Sequence, residues 1–470
     1  MDTEVLARVQ FGLTIGFHYI YPPTSIGLGF MLVILEGLYL KTGNIIYETA
    51  MRFWLRIFSL VFSMGVATGI IMEFEFGTNW ARYSKYVGDV FGSALSSEGL
   101  FAFALESGFL GILLFGWKKV RPQVHFFATI MVLIGSMFSA VWIVVANSWQ
   151  QTPAGYHIVG TGSGARAEIT DFRAMVFNPS SITRLLHVWT GSFLAGSFMV
   201  LSVSAYYILR NRYELIARPV FKIALVVSTF FSLFQLFMGD RSASGVAKYQ
   251  PAKLASMEGH YDSSTVAPMY LGGWVNNKTE KVTGISIPGG LSFLVYHDFK
   301  APVTGLHAFK PADRPTQINA IFQSYHLMIT VGMAIIGLTL LGCLLWWRNK
   351  LFSYRWLLWV FVFSVFLPQL ANEGGWFSAE MGRQPWVVYG LLRTSDAFSK
   401  QVAAHQIVFS LILFLVVYFA LFTLFIYLLN QRIMKGMSDP GIQDDLQRSP
   451  LRDNPLMNPE HRGPLAESRY

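Results

Sequence analysis

The sequence has almost no cysteine: Cys343 is the single thiol in 470 residues. An internal disulfide, a CxxC zinc site and a thiolate-held cluster are therefore all excluded. Charge is nearly as scarce. Lys and Arg number 36 and Asp and Glu 27, together 13% of the chain, against roughly 25% in soluble domains. No Gly-rich phosphate loop, no GxGxxG after a strand and no HExxH occurs, so nucleotide-binding and zinc-peptidase chemistry find no support. The first residues carry Asp2 and Glu4 where a secretory leader needs positive charge, so the first apolar segment is expected to be retained.

What fills the space is hydrophobic. Apolar residues make up 53% of the chain and aromatics 16%, with 40 phenylalanines. Apolar windows long enough for the ~20 residues that cross a bilayer recur throughout. They fall at about 11–40, 52–74, 94–117, 123–146, 182–210, 218–239, 320–347, 355–371 and 404–430. The pattern predicts an all-α polytopic membrane protein of nine helices. Alternate connections hold Lys41 and Arg52, then Lys118, Lys119 and Arg121, then Arg210, Arg212, Arg218 and Lys222, then Arg348, Lys350 and Arg355. The positive-inside rule puts these in the cytoplasm, with the N-terminus outside and the C-terminus inside. The net charge of +9 then reflects cytoplasmic loops and not a nucleic-acid partner.

The expected organisation is helices one to six over 1–239, a long polar outer loop over 240–319 and helices seven to nine over 320–436. The segment 437–470 mixes proline with charges of both signs and reads as a disordered cytoplasmic tail.

An ionisable residue at membrane depth costs about 2.5–3.5 kcal/mol on insertion scales, so each is a functional candidate. His18 precedes Tyr-Ile-Tyr-Pro-Pro, a stretch expected to kink its helix; its alternatives are metal ligation or an interhelical hydrogen bond. Glu98 and Glu106 share one helix, about 80° apart and some 12 Å along the axis. Two acids at different depths suit a proton path or ligand set better than packing.

His187 opens the fifth helix, and His326 and Met328 open the seventh at similar depth. Imidazole against thioether is a haem-ligand pair that raises the iron's potential. His326 and Met328 are roughly 200° apart, so only one faces a given pocket, and spacing leaves both open. Methionine is also an ordinary gap-filler in apolar helices.

After the eighth window comes Glu373-Gly-Gly-Trp376-Phe-Ser-Ala-Glu380-Met-Gly-Arg383-Gln-Pro-Trp386. Glu373 and Glu380 would share a face if the stretch is helical, and Arg383 could neutralise a carboxylate or grip an anion. Of ten histidines, those in or near spans are His18, His125, His187, His326 and His405. They are too few for a copper–haem oxidase and lack the pairing of a bis-histidine quinol cytochrome. A cofactor-free proton carrier would use the acids, but it has no need of the Met328 and Arg-Gln-Pro-Trp features.

With these residues together, the chain resembles subunit I of the cytochrome bd-type quinol oxidases over nearly its whole length. The segments that carry the likeness are Arg8-Val-Gln-Phe-Gly-Leu-Thr through His18, Glu98-Gly-Leu through Glu106-Ser, Val-Ala-Asn147-Ser-Trp149-Gln and Arg184-Leu-Leu-His187. Lys253-Leu-Ala-Ser-Met-Glu258, Met328 and Gly375-Trp376 through Glu380-Met-Gly-Arg383-Gln-Pro-Trp386 complete them.

The resemblance implies three haems: a low-spin haem b, a high-spin haem b, and a haem d or a further haem b in its place. It implies His187 and Met328 as axial ligands of the low-spin haem b, and His18 and Glu380 as ligands in a two-haem oxygen site with Glu98 beside an iron. Glu106 would relay protons, Arg8 and Arg383 would hold propionates, and Trp376 would lie between haems. Lys253 and Glu258 would bind and deprotonate quinol. The implied partners are a homologous membrane subunit II, a small single-helix subunit, membrane quinol and dioxygen, in a bacterial cytoplasmic membrane. About 60 residues between Glu258 and the seventh helix, and His326 two before the methionine, are similar to the short-loop, cyanide-insensitive branch.

Overall fold

The computed structural model describes residues 2–437. The tail expected over 437–470 therefore lies, beyond Met437, outside the described residues. Among the described residues nine helices are long and apolar enough to cross a membrane. In lipid every backbone N–H and C=O must be satisfied within the segment, and the helix does this. They are α1 (Thr3–Thr42), α2 (Ile45–Gly77), α3 (Gly88–Phe115), α4 (Pro122–Gln151), α5 (Ser181–Leu209), α6 (Glu214–Tyr249), α7 (Ile318–Trp347), α8 (Arg355–Met381) and α9 (Ala404–Lys435).

Most exceed the sequence windows by a turn or more, because polar residues at their ends still have helical partners. The extension of the eighth bears on the candidate site. That helix was expected to stop near residue 371, and it continues to Met381, so the Glu373–Glu380 stretch is helical and not a connector.

Local chemistry sets the breaks. Pro22 and Pro23 have no N–H to give, and α1 divides into Thr3–Tyr19 and Tyr21–Thr42. Thr24 Oγ1 donates to the Ile20 carbonyl at 2.7 Å and Ser25 Oγ to that of Pro22 at 3.0 Å. The α1–α2 turn takes two residues. Gly43 adopts φ 65°, and Asn44 Oδ1 caps α2 by accepting from the Ile46 N–H at 3.0 Å. In α3, Glu98–Phe103 widens into a π-helical segment.

α5 is the central column, with neighbours α1, α4, α6 and α8. It carries small residues along its length, as expected where packing rather than water exclusion holds helices together. At Gly27 of α1 and Gly196 of α5 the two backbones touch. A Cβ on Gly27 would lie 2.1 Å from the Ser192 carbonyl oxygen, and one on Gly196 would lie 2.1 Å from the Gly27 carbonyl carbon. α9 is peripheral and turns Phe409, Val416 and Phe419 outward.

Three two-stranded antiparallel ribbons lie between helices: β1 (Tyr156–Val159) with β2 (Arg166–Ile169), β3 (Met269–Asn276) with β4 (Lys281–Ile287), and β5 (Trp386–Val388) with β6 (Leu392–Arg393). The polar segment expected from residue 240 begins at Gln250, since α6 extends to Tyr249. It is ordered, with a short helix Pro251–Glu258, the β3–β4 hairpin and a second short helix Gly290–Tyr296.

The Gly27–Gly196 crossing makes a direct prediction. Gly196→Val must push α1 from α5 and should cost more than the roughly 1–3 kcal/mol of ordinary overpacking. Loss of monodisperse protein in detergent gel filtration would show it; wild-type yield and melting temperature would contradict it.

Candidate functional site

The helices enclose one cavity of about 1800 Å³, well beyond the roughly 300–1,000 Å³ of a small-ligand pocket. Its walls include Arg8, His18, Glu98, Glu106, His187, Lys253, Met328, Trp376, Glu380 and Arg383. The structure thus gathers into one space residues spread over more than 370 positions. Glu258 is the exception among the expected site residues. It is buried next to the cavity, against Tyr325.

The most heavily bonded part is built on the end of α8. Glu380 Oε1 accepts from Asn147 Nδ2 of α4 at 2.9 Å, and Oε2 accepts from Arg383 at 2.5 Å. Asn147 Oδ1 in turn accepts from Arg184 of α5 at 2.6 Å. Arg383 also donates to Gln150 Oε1 at 2.9 Å, and Lys253 Nζ to Gln151 Oε1 at 2.9 Å. Burial first, and then the Arg184 guanidinium, hold the Lys253 ammonium well below the ordinary lysine value. Even with Lys253 uncharged, two guanidiniums face one carboxylate. A buried excess of positive charge suits an anionic ligand group such as a carboxylate.

A second set lies along α3 and α4. Ser136 of α4 hydrogen-bonds Glu106, and Ser139 donates to Glu98 Oε1 at 2.5 Å. An α-helical count left the two acids about 80° apart. The π-helical segment between them advances less per residue, and both carboxylates come round to α4.

The ambiguity between His326 and Met328 is resolved by position. Met328 lines the cavity, and a Cβ on Gly375 would lie 2.7 Å from its sulfur, so only glycine leaves the thioether its place. His326 turns to the polar segment, with Nε2 2.8 Å from the Tyr270 carbonyl and Nδ1 2.9 Å from that of Phe322.

Across the cavity His187 Nε2 meets the side-chain amide of Gln235 of α6 at 3.1 Å, while its Nδ1 is buried without a partner. His18 Nδ1 is tied to Thr68 Oγ1 of α2 at 2.9 Å. That fixes the ring and leaves Nε2 as the nitrogen that could take a ligand, an arrangement usual for ligand histidines.

These features fit haem. The cavity is large enough for more than one, imidazole and thioether stand on separate helices, and two guanidiniums face one carboxylate. Several buried polar atoms at its wall lack partners: His187 Nδ1, Gln235 Oε1, Asn372 Nδ2 and Arg383 Nε. Such orphans are costly in a finished interior and mark a space meant to be filled.

The family described as cytochrome bd terminal oxidase subunit I matches residues 6–437. The chain belongs to the cytochrome bd terminal oxidase subunit I family. It is 36% identical to cytochrome bd ubiquinol oxidase subunit 1 of Bacillus subtilis, over 94% of this chain and 96% of that one. It is 33% identical to cytochrome bd-II ubiquinol oxidase subunit 1 of Escherichia coli, over 93% and 97%. The solved bd oxidase from Geobacillus thermodenitrificans superposes with a TM-score of 0.85 at 28% identity, covering 92% of this chain and 99% of that one. The chain is therefore a multi-pass membrane subunit of a terminal oxidase, an oxidoreductase of the cytochrome bd class.

Sequence reading quoted Asn147 and Arg184 only as parts of motifs, and it missed Thr68, Ser136, Ser139, Gln150, Gln151 and Gln235 as partners. The α4 set had a signal. Thr129, Ser136 and Asn147 are spaced 7 and 11 apart, which puts them on one helix face. Thr68 and Gln235 had none.

Removing the Asn147 side chain strands Glu380 Oε1 and one Arg184 N–H. Asn147→Ala should destabilise the assembled protein by about 1–3 kcal/mol for each stranded group. Thermal unfolding followed by aggregation or tryptophan emission checks this, and an unchanged melting temperature would remove Asn147 from the network.

Proposed function

We propose that this chain is the haem-bearing catalytic subunit that oxidises membrane quinol at the outer face and reduces dioxygen to water with cytoplasmic protons. It would generate membrane potential without a pump. The observation that carries the reading is the single cavity in which His187, Met328, His18, Glu98 and Glu380 meet a surplus of buried arginine. Bound haems would supply one-electron transfer from quinol and a site for four-electron reduction of dioxygen.

His187 and Met328 would hold a low-spin haem b, the thioether favouring the reduced iron. His18 and Glu380 would serve the two-haem oxygen site, with Glu98 beside an iron, and a high-spin haem b and a haem d (or a haem b in its place) would occupy it. Arg8 and Arg383 would hold propionates, and Trp376 would pack between the rings. Subunit II and a small single-helix subunit would complete the enzyme.

Lys253 and Glu258 are the proposed quinol groups. Lys253, whose charged form burial disfavours, can donate a hydrogen bond to a quinol oxygen. Glu258 takes the proton. Burial raises its carboxyl to about 7, so near neutral pH it alternates between acceptor and acid, as a general base should. Protons for water would come from the cytoplasm past Ser136–Glu106 and Ser139–Glu98. Quinol protons would leave outside, by the orientation that the positive-inside rule favours. Each elementary charge separated is worth about 2.3 kcal/mol per 100 mV.

Spectra test the ligands first. His187→Ala and Met328→Leu should each remove or convert the low-spin haem b band in reduced-minus-oxidised spectra of the purified complex and abolish quinol oxidation. Normal low-spin spectra in both would end that assignment. Three haems by pyridine haemochrome support the oxidase, and whether one is a chlorin decides haem d; an intact complex without haem would refute the reading.

The pH profile tests Glu258. Below about 7 the group is protonated and cannot accept a proton, and one unit lower roughly one-tenth is ionised. Quinol oxidation should therefore rise with pH through about 7, and Glu258→Gln should be slow and lack that limb. A Glu258→Gln profile of wild-type shape and height would exclude it as the base.

A further inference from the structure

A second buried set of titratable groups lies further along the α3–α4 seam, apart from the proposed haem and quinol sites. Glu36 of α1 and His125 and Thr129 of α4 are each 2% exposed or less. His125 Nδ1 meets Glu36 Oε1 at 2.6 Å, and its Nε2 meets the Leu113 carbonyl of α3 at 3.1 Å. Thr129 Oγ1 donates to Glu36 Oε2 at 2.5 Å.

The Leu113 carbonyl can only accept, so Nε2 carries a hydrogen. A second proton must then sit between Nδ1 and Glu36. The pair holds one transferable proton, as imidazolium with carboxylate or imidazole with carboxylic acid, and the two forms differ by its movement across a 2.6 Å contact.

Register ties this pair to Glu106. α3 and α4 run antiparallel, with Glu106 against Ser136 and, seven residues on in α3, Leu113 against His125. Thr129 and Ser136 are seven apart on one face of α4, about 10 Å of helix rise. Val132 and Leu133, both buried, occupy the turn between them.

On the far side Trp117 stands edge-on to His125 with ring centroids 4.5 Å apart. Its Nε1 donates to Glu48 Oε1 at 2.9 Å, and Glu48 pairs with Arg52 at 2.5 Å. These last two side chains reach the surface, at 11% and 19% exposure. A buried ion pair is weak evidence for stability, since apolar residues of similar volume often serve as well. Its place in line with Glu106 asks for another reason.

We propose that the Glu36–His125 pair is the proton-loading station for Glu106. It takes protons from the end of the bundle marked by Glu48 and Arg52 and holds one below an apolar turn until Glu106 has given its own away. Glu36 releases its proton to water entering the Val132–Leu133 turn, and that proton reaches the Glu106 carboxylate. One proton from the aqueous side then reloads the emptied pair and is shared again between His125 Nδ1 and Glu36; no electron moves. The inference rests on the reading of Glu106 as a proton donor to the oxygen site.

The test uses the full membrane complex. Quinol-driven oxygen consumption is measured in H₂O and D₂O, and proton uptake by the pre-reduced complex is followed with a pH dye after mixing with oxygen. Glu36→Gln should lower turnover about tenfold, slow proton uptake equally and raise the solvent isotope effect, with haem content and spectra unchanged. Wild-type turnover and uptake in Glu36→Gln would overturn the proposal.

Should Glu36→Gln fail to assemble, Thr129→Val and Thr129→Ser decide. The valine should slow uptake severalfold with a larger isotope effect and the serine should restore most of the rate; equal rates in both variants and wild type would overturn the proposal. Glu106→Gln separates the two levels. Wild-type turnover there removes the underlying reading, whereas a slow Glu106→Gln beside a fast Glu36→Gln removes only the loading station.

Discussion

A carboxylate inside a bilayer has no water to turn to, so each buried acid needs a partner from another helix. In this chain one helix face supplies most of them. α4 presents Thr129 to Glu36, Ser136 to Glu106, Ser139 to Glu98 and Asn147 to Glu380. Thr129, Ser136 and Asn147 fall within about 20° of one another around the axis. The four acids come from α1, α3 and α8, so their places depend on how α4 is set, in the cavity for Glu98, Glu106 and Glu380 and beyond it for Glu36. α4 is itself held by α5, whose small residues allow α1 to approach to backbone contact at Gly27 and Gly196.

The same constraint explains what could be read before the fold was known. His18, Glu98, Glu106 and His187 stand out because each is expensive in an apolar run, Glu380 because of the motif around it, and all five reach the cavity. Their company was harder to see. Asn147 and Ser139 are neutral and common in helices, and only the pairing across α4 gives them meaning. A count that assumed an unbroken α-helix put Glu98 and Glu106 on one side of it about 80° apart, and a π-helical segment narrows that angle. His326 and Met328 could not be separated by periodicity at all. The Tyr270 carbonyl, brought by a hairpin some fifty residues earlier in the chain, takes the histidine and leaves the methionine to the cavity. The eighth helix was cut short because Glu373, Glu380 and two glycines lower its hydropathy, although their backbone remains helical.

Charge is distributed unevenly along the cavity, and this has a mechanistic sense. At the end near α8 the guanidiniums of Arg184 and Arg383 outnumber the one carboxylate they share, and Lys253 lies buried beside them. Along the α3–α4 seam Glu106 and Glu98 accept from the hydroxyls of Ser136 and Ser139. A cationic wall stabilises added negative charge and so favours the arrival of electrons. A row of hydroxyl-bonded acids can carry protons without trapping them in ion pairs. An arginine bonded to Glu106 would pin it as a carboxylate, and a serine bonded to Glu380 would leave two guanidiniums uncompensated. The two sets meet where Glu98 and Glu380 line the same cavity, which is where, on the proposed function, electrons and protons would arrive together for oxygen to become water.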